Sequence, residues 1–136
     1  MKLLVVGAGA REHALAATLA RGGASVVCAP GNPGIARDIR VVPLDANDPA
    51  AVLALAEAES VDLTVIGPEA PLAAGVADHF LAAGRPVFGP TRLAARLETS
   101  KAFAKELMAR HGVPTARSLV CESADAALAA LRAGTL

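Results

Sequence analysis

Apolar residues in this chain gather in short runs separated by glycine, proline and amphipathic stretches. Lys2 to Val6 is such a run, β-branched at its end and stopped by Gly7, and it predicts a buried parallel strand. From Arg11 to Arg21 the period changes: Leu15 and Leu19 share one helical face, and Gly22-Gly23 ends the helix. Ser25 to Ala29 predicts a second strand, and PGNPG (Pro30 to Gly34) a loop. Arg40 to Leu44 predicts a short third strand, after a connection with room for one helical turn at most. Asp48 is placed to cap a helix that has Pro49 in its first position and runs to about Glu59. A fourth strand, Asp62 to Ile66, stops at Gly67-Pro68, a helix runs from Pro71 to Gly84, and Pro86 to Phe88 predicts a fifth strand.

Strands alternating with helices imply an α/β fold, a doubly wound parallel sheet covered on both faces. The texture changes after Phe88. Helices are predicted over Thr91 to Glu98, Ser100 to Arg110 and Ser123 to Ala133, with a strand over Ala116 to Val120. We expect a first domain over residues 1–89 and the beginning of a second over 90–136. In a sheet of order 3-2-1-4-5, the loops after strands one and four flank the point where the order reverses, and ligands bind there. Those loops are GAGAR (Gly7 to Arg11) and GPEA (Gly67 to Ala70).

Composition narrows the function classes. Of 136 residues 54% are hydrophobic, enough for a real core and too many for a disordered chain. Thirteen basic and thirteen acidic residues cancel, so no global field draws in nucleic acid or an anionic membrane. With three Phe and no Tyr or Trp there is no base-stacking platform. Cys28 and Cys121 lack ligand spacing and read as reduced thiols. His13, His79 and His111 fall on different helices without HxxxH or HExxH spacing, so no metal site is expected. The N-terminal apolar run is short and broken by Arg11-Glu12-His13, unlike a signal peptide, and no apolar stretch approaches a membrane span. A soluble, cytoplasmic protein is the expectation.

The first loop offers glycines, free N–H groups at a helix start, and Arg11, all suited to a phosphate. A tight strand-to-helix turn without a ligand would look the same. A dinucleotide fits poorly. Glu12 stands where the third glycine of G-x-G-x-x-G should be, and the region about twenty residues on, Val27 to Asn32, has no acid to grip a ribose. Glu69, between Pro68 and Pro71, can accept ribose hydroxyls at the same crevice, or can simply be a first-turn carboxylate favoured by the helix dipole. Together the loops suggest one ribose phosphate.

GAGAREHALA, APGNPG, DLTVIGPEAPLAAGV, VFGPT and LETSKAFAKELMARHGVPTA, in that order, closely resemble phosphoribosylamine–glycine ligase, also called glycinamide ribonucleotide synthetase. The resemblance runs from Met1 to about Ala116 and onward toward Leu136. It implies an ATP-grasp ligase of de novo purine synthesis, using ATP and Mg²⁺ to join phosphoribosylamine to glycine through a glycyl phosphate. It implies a Rossmann-like, pre-ATP-grasp domain followed by the start of an ATP-grasp region. By the same resemblance, backbone N–H groups of Gly9, Ala10 and Arg11 meet the substrate phosphate, and Glu69 holds the ribose hydroxyls. Asn32 and Gly34 lie near that site.

Lys101 and Lys105 match the family segment that introduces the ATP-grasp part, and share a helix face. One of them can reach ATP phosphates, with Lys101 favoured; spacing alone favours two solvated lysines partnered by Glu98 and Glu106. The family is several times larger than this chain. Its glycine-rich lid, most ATP contacts and acidic Mg²⁺ ligands are expected past Leu136, in a missing ATP-grasp domain or on a separate polypeptide. We therefore expect no catalytic or metal-binding residue here, and a truncated chain inactive on its own. The alternatives are a non-catalytic nucleotide-binding or assembly module and, less favoured, an NAD- or FAD-binding oxidoreductase domain.

Overall fold

A computed structural model describes residues 1–134. The chain forms two compact units, Met1–Thr99 and the residues from Ser100 onward.

The first unit is a five-stranded parallel sheet of order β3-β2-β1-β4-β5. Its strands are β1 (Lys2–Gly7), β2 (Ser25–Pro30), β3 (Arg40–Val41), β4 (Leu63–Ile66) and β5 (Val87–Phe88). The expected strand order is thus borne out. Side chains of β1 alternate between two cores, as the pleat requires. Leu4 and Val6 face a cluster with Val27, Val52, Ala56, Ile66 and Phe80, whereas Val5 faces Ala16, Cys28, Ile35 and Ile39. Helices α1 (Ala10–Arg21) and α2 (Pro49–Ala58) therefore cover opposite faces of a doubly wound sheet.

Local chemistry sets the helix ends. Asp48 Oδ1 accepts from the N–H groups of Ala50 and Ala51 at 3.0 and 3.2 Å, and Pro49 opens α2 as expected. The single helix expected from Pro71 to Gly84 is two, α3 (Glu69–Ala74) and α4 (Val76–Ala82). Gly75 separates them at φ 94°, a left-handed conformation that interrupts the helix. The third strand covers two residues instead of five, and its approach contains one 3-10 turn, Ile35–Arg37. The helix α5 (Arg92–Thr99) packs on α3 and buries Ala95 in the first core, so this unit extends past the expected boundary at Gly89.

The second unit contains α6 (Lys101–Arg110) and α7 (Ala124–Arg132). Ser100 Oγ accepts from Phe103 N–H and Ser123 Oγ from Ala126 N–H, capping them. The strand expected over Ala116 to Val120 does not form: the segment runs without a ladder partner. An extended segment makes a strand only where a neighbour accepts its backbone bonds. Here Lys105 Nζ holds the segment instead, donating to Thr115 Oγ1 at 2.8 Å and to the Ala116 carbonyl at 2.6 Å.

Candidate functional site

The carboxyl ends of β1 and β4 are neighbours, and their loops meet at one cleft of about 580 Å³. Gly7 to Glu12 form one wall and Pro68 to Pro71 another. Pro30, at the end of β2, and Ala46 and Asn47, before α2, complete the lining. This is the topological switch point expected from strand order. Sequence inspection missed Ala46 and Asn47; the signal was available, because they follow the third strand and so project from the same edge of the sheet.

At the start of α1 the N–H groups of Ala10 and Arg11 precede any intrahelical acceptor and carry the positive end of the helix dipole. The Gly9 N–H is already engaged, donating to Glu12 Oε2 at 2.7 Å. Across the cleft, Arg11 Nη2 lies 3.2 Å from Glu69 Oε2, and both side chains are largely exposed. The Glu69 carboxyl is held below its ordinary pKa, first by its own backbone N–H and then by Arg11.

Glu12 is the residue whose role the sequence concealed. It stands where the dinucleotide motif has its third glycine. Its side chain turns inward and is 3% exposed. Room for it comes from glycines of both loops. A Cβ added at Gly7 or Gly67 would fall inside 3.0 Å of Glu12 Cγ and Cδ, and one at Gly9 would lie 2.8 Å from Oε2. Beneath the loop, Cys28 is fully buried; burial and then the charge of Glu12 push its thiol up to about 11.

Asn32 and Gly34 do not line the cleft. Asn32 organises the loop behind it. Its Nδ2 donates to the Ala8 carbonyl at 2.8 Å, and its Oδ1 accepts from Gly34 and Ile35 N–H at 2.8 and 3.0 Å. Lys101 and Lys105 lie in the second unit, beside a separate depression that Ser118, Leu119 and Val120 also line. Lys101 is exposed, whereas Lys105 is spent on Thr115 and Ala116. Among the described residues no group of His, Cys, Asp or Glu is arranged to hold a metal ion. No helix among them is long and apolar enough to cross a membrane.

The family model described as phosphoribosylglycinamide synthetase, N domain, matches residues 1–98. The chain belongs to this family. Relatives agree: it is 57% identical to phosphoribosylamine–glycine ligase of Streptomyces coelicolor, over 98% of this chain and 33% of that protein. It is 52% identical to the same enzyme of Xylella fastidiosa, over 97% of this chain and 32% of that one. The crystal structure of phosphoribosylamine–glycine ligase from Thermotoga maritima superposes with a TM-score of 0.69 at 30% identity, covering 98% of this chain and 30% of the other. N5-carboxyaminoimidazole ribonucleotide synthetase of Thermotoga maritima shares the fold at 15% identity, with a TM-score of 0.68. The chain spans about a third of the length of the phosphoribosylglycinamide synthetase relatives it matches.

Proposed function

We propose that this chain is the ribose-phosphate-binding part of a ligase that joins 5-phosphoribosylamine to glycine at the expense of ATP, in purine biosynthesis. One observation carries the reading: the positive N-terminus of α1 and the Glu69 carboxylate face a single cleft. A phosphate seated on the N–H groups of Ala10 and Arg11, with the Arg11 guanidinium closing on it, leaves the attached ribose directed toward Glu69. Glu69 then exchanges its bond with Arg11 for bonds to sugar hydroxyls. Asn32 and Gly34 act indirectly, by holding the loop that buttresses Ala8.

ATP supplies the phosphoryl group in this reading. Lys101 is the better placed of the two lysines to meet its phosphates, because Lys105 already donates to Thr115 and Ala116. Phosphoryl transfer depends on positioning and metal-borne charge. In this reading the groups that hold Mg²⁺ belong to the two thirds of the relatives' length that this chain does not span, and the chain alone binds substrate without turning it over. The cytoplasm is its proposed location.

Backbone-amide NMR tests this. Titration with glycinamide ribonucleotide, the stable product, is expected to give saturable shifts at Gly9 to Arg11 and around Glu69, with NAD giving none. Shifts with NAD at the same residues would overturn the ligase reading in favour of a dinucleotide domain. Tight ribonucleotide binding without turnover, even after the remaining two thirds of a relative is supplied, would mark a non-catalytic module.

A further inference from the structure

We propose that Glu12 is a positioning residue that couples the two loops of the cleft, and that two of the glycines around it, Gly9 and Gly67, serve Glu12 and not the close approach of a ligand. The effect on ligand affinity rests on the ribose-phosphate reading above; the coupling itself does not.

Three glycines, two from the first loop and one from the second, surround a single side chain. Of these, Gly9 and Gly67 lie outside the left-handed region, so their backbone does not call for glycine. What excludes a larger residue at both is the Glu12 carboxylate. Oε2 orients the first loop through Gly9 N–H, which leaves the next two N–H groups directed at the cleft. Oε1 lies on the side of Gly67 and has no hydrogen-bond partner, because the Gly67 N–H donates to the Val6 carbonyl instead. A buried carboxylate with one unsatisfied oxygen is a poor device for stability. As a rigid spacer it is effective: one end is hydrogen-bonded to the phosphate loop and the other is in contact with the loop that carries Glu69. Any movement of one loop must displace Glu12 and be felt by the other.

The test is a double-substitution cycle in this chain, with Gly67→Ala and Glu12→Ala. With Glu12 present, the added methyl pushes the carboxylate out of its socket, and the Gly9 amide signal shifts and exchanges faster. In the Glu12→Ala background the three atoms that the methyl would strike are gone, and Gly9 does not respond to it. Affinity for glycinamide ribonucleotide falls by roughly tenfold or more in each single variant, and the double variant is no weaker than Glu12→Ala alone. Glu12→Gln keeps the shape and the acceptor oxygen, and stays within about threefold of wild type, a rescue that separates positioning from bulk packing. If Gly67→Ala leaves the Gly9 amide unmoved, or if the two effects add, the coupling is wrong. If Glu12→Ala does not fold, Gly67→Ala and Glu12→Gln decide the same point through Gly9. Wild-type chain that fails to bind the ribonucleotide would overturn the ribose-phosphate reading, while the Gly9 response to Gly67→Ala would still judge the coupling.

Discussion

Arg11 and Glu69 belong to different β–α loops, yet their side chains meet at 3.2 Å across the mouth of the cleft. The pair is exposed, and exposed pairs contribute little to stability. Its importance is positional, since each partner is held ready at the rim without being buried. Glu69→Ala should leave the melting temperature essentially unchanged while weakening glycinamide ribonucleotide binding roughly tenfold or more. Thermal unfolding and an NMR titration on the same sample check both halves.

A second carboxylate should govern acid stability. Glu59 accepts from Lys2 Nζ at 2.8 Å and from Arg40 Nη2 at 2.6 Å. Its pKa is lowered below the ordinary 4.5, chiefly by the Lys2 hydrogen bond. A carboxyl depressed in the folded state stabilises that state above its unfolded pKa, and the benefit fades as pH falls through the folded value. Urea unfolding of wild type and Glu59→Gln should therefore differ at neutral pH and converge once the pH drops below that lowered value.

The two cysteines should react at very different rates. Cys28 is buried and its thiol is pushed up to about 11, whereas Cys121 is half-buried. At pH 8 only about one Cys28 thiol in a thousand is ionised, and the thiolate is the nucleophile. A chromogenic disulfide reagent should label one thiol in native protein, Cys121, and both after denaturation. Rapid native labelling of Cys28, read by peptide mapping, would contradict the buried placement.

Phe80 is fully buried in α4, in the same core as Leu4, Val6, Val52 and Ile66. Phe80→Ala removes a large side chain from a packed layer and should cost about 3–5 kcal/mol. Denaturant titration should show a lower midpoint with an unchanged slope.

Much of this was legible before any coordinates. A short, β-branched apolar run stopped by glycine, such as Leu3 to Val6, reads as a buried strand, and Asp48-Pro49 before an apolar stretch reads as a helix start. The alternation alone does not fix strand order, because right-handed crossovers allow several; given the order 3-2-1-4-5, the site followed from it. Where expectation failed, the deciding partner was distant or missing. Ala116 to Val120 has strand-like residues but no neighbouring strand. The helix expected over Pro71 to Gly84 looks continuous until Gly75 takes a left-handed conformation. The part Asn32 plays was not legible either, because its amide bonds to Ala8, Gly34 and Ile35 depend on how the fold brings two loops together.

The sequence by itself determined the alternation of strands and helices, the glycine and proline composition of the loops after the first and fourth strands, and the lack of a ribose-reading acid after the second strand. Those are local properties, set by side-chain period, caps and glycine placement. Only the tertiary structure decided what Glu12 does. Its meaning depends on Gly67, which the fold brings beside it through the pairing of β1 with β4. A side chain's fit to its socket is a property of the space between elements, and no one-dimensional pattern records that space.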